Sequence, residues 1–431
     1  MSEVRQSVMA ATGVVACAAA VLIGAATRNR NDIGGTSGLP PYAMQASTSN
    51  QDVPAADYFY ELSEKLKKEY VEPVTDNQKL ASGAVRGMVT SLGDPKSLFM
   101  GKEEFQAYLN ARQGSYEGIG VDIALVMPGG EKQSAKASTS ETESNEASAE
   151  EALALGFKIP RVMVTNVVPG GPADKAGVKA GDFVYSVDEH WVANTSEVAE
   201  FRRTQKAFLD KKINREAYNK TYKALRKKMD RALMPTKVIE KLIVGTGSNV
   251  QVVWDRAKAH RSTVIAKAKA EAPGFSAPSD TIRLPFTAGS PDALRKALEG
   301  KSAVTIDLRH NVNGDFNAMR ECLALVAPSG KYGTLGTDKK EKPSLLIVEK
   351  GTAKPIPVTL LVDQTTGGAA EIFALALSSK ERAKLSGTQM SGDRSVRQVV
   401  QLPDGSGYTL VTAIYKPEIE QNTILARGDS K

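Results

Sequence analysis

The chain has 431 residues, enough for two or three domains, and its contents of 41% apolar and 24% charged residues are ordinary for a globular protein. Two cysteines do not form a disulfide framework, and three scattered histidines show no metal-ligand spacing, so neither a metal nor another cofactor is expected. The net charge of +7 is moderate, and much of it lies between about residues 200 and 236.

The first 28 residues are interpreted as a membrane anchor. Residues 7–27 are apolar and almost uncharged, which is about the length needed to span a bilayer. A cleaved signal ending near Ala25-Ala26-Thr27, or lipid attachment at Cys17, are the alternatives. Arginines flank both ends, so charge gives no orientation. Residues 29–52 are rich in small polar residues and indicate a flexible linker.

Residues 53–113 are predicted to be helical. Apolar side chains recur at helical spacing from Ala55 to Tyr70 and again from Asn77 to Leu92, where Gly93-Asp94-Pro95 ends the helix. A third helix is expected from Lys102 to Ala111.

Residues 114–262 resemble a PDZ domain. The run from Val164 to Ala173 and then from Ala176 to Asp182 carries the resemblance, together with the short glycine loop Gly118-Ile119-Gly120-Val121. In PDZ domains such a loop offers backbone N–H groups to the terminal carboxylate of a peptide that adds to the next strand. The resemblance therefore implies peptide binding at Gly118, Ile119, Gly120 and Val121, with Val238 and Leu242 on the other groove wall.

Two insertions interrupt this region. The composition of residues 129–151, rich in Ser, Glu, Ala and Thr, predicts disorder. Residues 199–235 are predicted to form a basic helical hairpin. That hairpin either packs on its own domain with solvated lysines or docks on anionic lipid headgroups or an acidic partner. No nucleic-acid motif accompanies the charge, so nucleic acid is not expected as a partner.

The remainder predicts an α/β fold (α+β overall). After a charged stretch from Arg256 to Ala272 that is expected to be helical, strands and helices alternate over residues 275–420, and residues 421–431 form a tail. One helix is expected to be capped by Ser290, with Pro291 at its first position. A terminal hairpin turns at residues 403–407.

A strand-to-helix turn carries the candidate active site. The apolar strand Val358–Val362 leads into small residues and then a helix, a geometry that can expose a nucleophile over a helix N-terminus. The turn closes on Gly367-Gly368-Ala369-Ala370, which has neither a hydroxyl nor a thiol.

From about residue 55 to 415 the chain resembles the C-terminal processing (tail-specific) proteases, the S41 serine peptidases. The resemblance lies in Asp94-Pro95-Lys96-Ser97, which is similar to the family's Asp-Pro-Tyr-Ser, in Asp307-Leu308-Arg309, and in the turn ending at Glu371. It implies an S41-like core, the PDZ-like domain as an insertion, and residues 53–113 as the N-terminal cap.

The family's catalytic positions carry unsuitable residues. By the family's spacing the nucleophilic serine falls on Gly368, the general-base lysine on Asp393, and the glutamine that orients it on Arg397. The resemblance also implies a glycine-rich loop whose backbone N–H groups form the oxyanion hole, and Val312 and Asn313 alter that loop. A serine–lysine mechanism needs a hydroxyl within reach of a neutral amine, so a proteolytically inactive homologue is expected.

The resemblance implies a tethered scaffold or regulator that binds the C-terminal tails of proteins, outside the cytoplasm in the periplasm or its equivalent. An active homologous protease or a membrane complex is the expected partner. Two alternatives stay open. One is a peptidase with relocated groups, for which Thr366, Ser391 and Ser395 are the candidate hydroxyls. The other is a structural subunit that uses the basic hairpin as its contact.

Overall fold

The computed structural model describes residues 55–127, 159–257, 259–337 and 342–418. The predicted anchor (1–28), linker (29–52), disordered insert (129–151) and tail (421–431) lie outside these residues. Over the described ranges, no helix is both long enough and apolar enough to span a membrane.

The described chain contains ten helices and seventeen strands. The helices are α1 (Ala55–Glu69), α2 (Asn77–Ser91), α3 (Lys102–Arg112), α4 (Pro172–Lys175), α5 (Thr195–Leu209), α6 (Arg215–Met229), α7 (Pro235–Ile243), α8 (Ser290–Leu298), α9 (Phe316–Val326) and α10 (Ala369–Ser378). The strands are β1 (Phe99–Met100), β2 (Ser115–Tyr116), β3 (Val121–Val126), β4 (Arg161–Val167), β5 (Phe183–Val187), β6 (His190–Trp191), β7 (Asn249–Arg256), β8 (Ala259–Ala266), β9 (Ala270–Glu271), β10 (Thr281–Arg283), β11 (Val304–Asp307), β12 (Gly330–Gly336), β13 (Ser344–Val348), β14 (Val358–Val362), β15 (Ala383–Gly387), β16 (Ser395–Gln401) and β17 (Gly407–Lys416).

The chain divides into two compact units. The first ends at Asn77, and its described part is chiefly the helix α1. The second runs from Gln78 to Lys431 and contains everything that follows, including both candidate sites.

The PDZ-like region is an antiparallel sheet in the order β3-β4-β5-β7-β8, with β6 paired to β5. Valines alternate along these strands, and their inward faces pack with Val238 and Leu242 of α7 into one apolar core. Because β3 lies at the end of the sheet order, one of its edges is not paired with another described strand. The basic hairpin, α5 and α6, is inserted between β6 and α7.

The α/β core contains a parallel sheet in the order β10-β11-β14-β15. Its register pairs Val304 with Val358 and Val358 with Ala383, and the central strand β14 is a short, mainly apolar run. Helix α10 is buried along its whole length beside this sheet. In such folds the carboxyl ends of the strands form the site-bearing edge, and the turn after β14 lies there.

A second, antiparallel sheet brings distant segments to the same edge. Strand β17 pairs with β1, β12 and β16, so the segment after α2 and the terminal hairpin belong to one sheet. Strand β16 carries Arg397, and the loop before β1 carries Lys96.

Most predicted helices and strands agree with the structure, but the helix expected from Arg256 to Ala272 is wrong. That segment forms the strand β8, which pairs with β7 residue by residue from Asn249 and Ala266 to Arg256 and Ala259. The run Ser262-Thr263-Val264-Ile265 suits a strand, and pairing with β7 outweighs the helix-forming residues on either side. The predicted domain boundary at residue 262 lies inside β8.

Two smaller differences concern local structure. Helix α8 begins at Ser290 with Gly289 as its N-cap, so Ser290 is not the capping residue. Its hydroxyl instead accepts a hydrogen bond from Thr287 N at 3.0 Å and stabilises the preceding turn. Strand β12 was not predicted, since its three glycines and single leucine give little strand signal.

Candidate active site

The strand-to-helix turn has the backbone shape of a nucleophile elbow. Gly368 is the N-cap of α10 with φ 56° and ψ −127°, a conformation that strains any residue with a Cβ. Hydrogen bonds from both sides fix it: Gly367 N donates to Asn311 O at 3.1 Å, and Gly368 N donates to Asp393 O at 2.8 Å. The backbone of the turn therefore has the conformation that exposes a nucleophilic side chain, but the residue at this position is glycine.

Arg397 fills the neighbourhood of the missing side chain. A Cβ at Gly368 would lie 3.2 Å from Val312 O and 3.4 Å from Nη2 of Arg397. A guanidinium stays protonated in proteins, so Arg397 cannot accept a proton from any nucleophile placed here.

Asp393 forms an ion-pair cluster instead of providing a base. Its Oδ1 accepts from Lys96 Nζ at 2.8 Å and from Ser395 Oγ at 2.6 Å, and its Oδ2 accepts from Arg397 Nη2 at 3.0 Å. Burial alone would raise the pKa of Asp393, but Arg397 and Lys96 outweigh burial and lower that pKa to about 2. Asp393 is therefore a carboxylate at neutral pH, and it forms an ion pair with Arg397.

Lys96 was not recognised as a site residue. It stands where the family motif in the Asp-Pro-Tyr-Ser segment has tyrosine, and it brings an amine close to the position that has lost its lysine. This amine is held in an ion pair with Asp393 at 2.8 Å. Lys96 replaces the family's tyrosine with a cation, and Asp393 replaces its lysine with an anion. These two complementary changes were the sequence signal that could have linked the two residues.

The three alternative hydroxyls have structural roles. Thr366 is fully buried, and its hydroxyl donates to Leu308 O and accepts from Asp363 N. Ser391 Oγ donates to Glu371 Oε2 at 3.1 Å, and Ser395 Oγ donates to Asp393. None of these contacts pairs a hydroxyl with a neutral amine or imidazole, which nucleophilic activation requires.

His310 belongs to a structural network. Its Nδ1 lies 2.9 Å from Asn166 Oδ1 of the PDZ-like region, and burial lowers its pKa. Asp307, the carboxylate at the end of β11, forms ion pairs with Arg283 and Arg309. The structure therefore does not assemble a Ser/His/Asp triad around His310.

The altered glycine-rich loop is held by two other side chains. Asn313 donates through its amide to Asp122, and its backbone oxygen accepts from Arg112 Nε at 3.3 Å. Asp122 also accepts from Tyr116 OH and Asn166 Nδ2, at 2.8 and 2.9 Å. Burial raises the pKa of Asp122 to about 6, although these three hydrogen bonds oppose the shift.

An open cleft remains at the turn. It is bordered by two arginines, by the N-terminal residues of two helices and by a few apolar side chains: Tyr108, Arg112, Asn313, Gly314, Phe316, Gly368, Ala369, Ser395, Arg397 and Val399. In the described part of the chain, no group of three or more acidic, histidine or cysteine side chains could hold a metal ion.

The predicted peptide-binding residues of the PDZ-like region lie together, but they are closed off. Ile119, Val121, Val238 and Leu242 are at most 3% exposed and belong to the domain core. Gly118 N donates to Gly245 O, and Ile119 N donates to Leu242 O at 2.9 Å. A Cβ at Gly118 would lie 2.0 Å from Leu242 O, which explains why this position requires glycine. Two of the loop's N–H groups are thus occupied, one by the last turn of α7 and one by Gly245 just beyond it.

Three known protein domains match segments of this chain. A peptidase family S41 domain matches residues 284–428, a PDZ domain matches residues 163–205, and the N-terminal domain of the activating protease CtpB matches residues 15–104. The chain is an S41-domain homologue of the C-terminal processing proteases. The S41 match covers β11, β14 and β15 of the parallel sheet, the turn at Gly368 and Asp393, and the PDZ match covers part of the inserted sheet.

Curated relatives carry the same family name. The S41-domain chain is 25% identical over 391 residues to carboxy-terminal processing protease CtpB of Bacillus subtilis, covering 88% of this chain and 67% of that protein. It is also 25% identical to CtpA of the same organism, covering 81% of this chain and 62% of that protein. The chain thus spans about two thirds of the length of these relatives.

A solved structure shares the fold. The photosystem II D1 C-terminal processing protease matches with a TM-score of 0.51 and 21% identity, covering 83% of this chain and 82% of that one. Together with the S41 and PDZ matches, this supports the α/β fold class and the S41 resemblance inferred from sequence.

Proposed function

We propose that this chain is a proteolytically inactive S41 homologue that binds the C-terminal tails of proteins without cleaving them. The observation that carries the proposal is Gly368, which keeps the elbow backbone but has no nucleophile. Its neighbours fit the same conclusion, because Asp393 is an ion-paired carboxylate and Arg397 a permanent cation. A serine–lysine mechanism has none of its three groups here.

Tail binding follows from the PDZ domain, since such domains and C-terminal processing proteases act on protein C-termini. The edge of β3 that pairs with no described strand is the surface for strand addition. The glycine loop is closed against α7, so a tail that uses this loop must displace the hydrogen bond between Ile119 N and Leu242 O.

Location is part of the same proposal. The apolar residues 7–27 would tether the chain to a membrane, with its bulk outside the cytoplasm in the periplasm or its equivalent. A scaffold or regulator so placed would act on an active homologous protease or a membrane complex. Protease digestion of spheroplasts and of lysed cells would test the orientation, since only a chain exposed outside the cytoplasm is cut in both.

A structural role for the basic hairpin is the second candidate function. Between residues 199 and 235 there are twelve basic and four acidic residues, a net charge of +8 against +7 for the whole chain. The described basic side chains of α6 and its flanks are exposed. Such a surface suits anionic headgroups or an acidic partner.

One experiment separates binding from cleavage. The full chain is incubated with an unfolded reporter protein that ends in an apolar tail, and intact reporter and complex are followed together. We expect a complex and undiminished reporter. Absence of any complex with free-carboxylate and amidated tails alike would remove the binding proposal, while cleavage would remove the inactive one.

A further inference from the structure

The cleft beside Gly368 contains two guanidinium groups. Arg112 reaches it from α3 and Arg397 from β16, and Nη2 of Arg397 lies 3.4 Å from where a Cβ of residue 368 would be. Neither side chain is widely exposed, at 19% and 21%, so both have fixed positions in a partly water-excluded site.

Each guanidinium is held by partners that use only some of its donors. Arg397 donates through Nη2 to Asp393, and Arg112 donates through Nε to Asn313 O and through Nη2 to Asp315. Because a guanidinium has five N–H donors, each retains others for a ligand. With Lys96 on Asp393, three cations face two carboxylates in this group.

Two helix N-termini add to the positive potential. Helix α9 begins at Phe316 and α10 at Ala369, and both residues border the cleft. Asp315 caps the first helix with its side chain, whereas the N-cap of α10 is Gly368 and has no side chain to do so. Helix α10 therefore has no side-chain cap, although Ala370 N donates to Gly367 O at 3.2 Å and Glu371 lies in its first turn.

The size and lining of the cleft restrict the ligand. About 20 Å³ is open to a water-sized group, and one water needs roughly 10–15 Å³, so only a small group fits at the base of the cleft. Tyr108, Phe316 and Val399 provide apolar walls beside it. Paired guanidiniums match the planar carboxylate in particular.

We propose that this cleft binds the C-terminal carboxylate of a peptide, as a receptor site separate from the loop at Gly118. The inference rests on the proposed function, that the chain binds protein tails. It assigns the carboxylate to Arg112, Arg397 and the start of α10, because two N–H groups of the PDZ-like loop are already occupied. The vacated active site thus becomes a carboxylate-binding site.

The test measures binding of a fluorescent eight-residue peptide ending in alanine to the full chain, by anisotropy. We expect amidation of the peptide, Arg397→Gln and Arg112→Gln each to weaken binding about tenfold or more. Arg397→Lys keeps the charge beside Asp393 but loses the planar fork, so its affinity should be intermediate. Arg295→Gln removes an exposed arginine of α8 and should leave binding unchanged. Excess N-acetylalanine should compete with the peptide, because it presents the same carboxylate.

A photoreactive group on the last peptide residue locates the carboxylate independently of stability. Labelling near residues 368, 369 or 397 supports the proposal. Binding that is unaffected by Arg397→Gln, with labelling near residues 118–121, would overturn this site while leaving tail binding intact. No binding of the peptide in either form would overturn both.

Discussion

Gly368 combines a demanding backbone with the smallest side chain. With φ 56° and ψ −127°, the position is strained for any other residue, and a serine there would also approach Val312 O and Arg397. In an active elbow this strain positions a reactive hydroxyl. Here the turn is free of that strain.

Restoring the serine alone should therefore cost stability and give no activity. We expect Gly368→Ser to lower the free energy of unfolding by about 1–3 kcal/mol, measured by urea denaturation of the full chain. Gly289→Ser is the matched control, because its φ is −84° and nothing lies near its Cβ position. It should change the stability by a few tenths of a kcal/mol at most. Equal stability of both variants would contradict the strained conformation at residue 368.

Asp122 gives a second residue-scale prediction, for pH. Burial raises its pKa from 3.8 to about 6, so between those values the native state holds a proton that the unfolded chain has released. The free energy of unfolding therefore falls as pH rises through this window, by up to about 3 kcal/mol from this group.

The Asp122→Asn variant isolates this contribution from other carboxyl groups. Its stability relative to the wild type should improve by up to about 3 kcal/mol between pH 4 and pH 7, since asparagine carries no charge to bury. Urea unfolding of both proteins at each pH measures the difference. A stability difference that does not change with pH would show that Asp122 titrates near its usual range.

At the scale of elements, the basic hairpin is a distinct unit of structure. Phe208 and Tyr218 stack with ring centroids 4.5 Å apart and join α5 to α6. Lys228 donates to Tyr185 OH at 3.0 Å and so connects α6 with β5 of the PDZ-like sheet. These contacts hold one face of the hairpin while its lysines remain exposed.

Charge reversal on this hairpin tests whether it binds anionic lipid headgroups. We expect Lys220→Glu/Lys223→Glu/Lys227→Glu to weaken sedimentation of the full chain with vesicles rich in phosphatidylserine by at least about tenfold beyond any contribution from residues 7–27. The same reversal at Lys350, Lys354 and Lys384, exposed in the S41 domain, is the control. If both variants bind as the wild type does, the hairpin is a solvated surface and not a lipid contact.

Local sequence predicted most elements because their signals are local. The end of α2 at Gly93, the run β14 and the glycines at Gly367-Gly368 each act within a few residues. Strand β8 was missed because its pairing with β7 decides its structure, and the charged residues around it favour a helix by themselves.

From the sequence, only the missing catalytic residues of the candidate site could be predicted. Gly368, Asp393 and Arg397 follow from family spacing, but the Lys96–Asp393 pair joins residues 297 positions apart. Arg112 and Asp122 reach the site from α3 and β3, and their roles depend on packing that no motif records. The closure of the loop at Gly118 is likewise a tertiary contact with α7.

For the whole molecule, the S41 domain and the PDZ-like domain contact each other at the vacated site. Asp122, Asn166 and Tyr116 form a hydrogen-bonded group with Asn313 and His310 of the S41 domain. In this arrangement the loop that borders the cleft is bound to the domain expected to receive tails. The PDZ-like region and the turn at Gly368 are therefore joined by direct hydrogen bonds.

The most direct measurement is cleavage of an unfolded, tail-bearing reporter by the full wild-type chain. The chain is purified until its activity per amount of protein no longer changes. The comparison is Lys96→Tyr/Gly368→Ser/Asp393→Lys/Arg397→Gln, which restores the family's four residues together. The account predicts that the wild type binds the reporter and leaves it intact, whereas only the restored chain can react with a serine-directed probe. Cleavage by the wild type that survives purification and is lost in Thr366→Ala, Ser391→Ala or Ser395→Ala would contradict it.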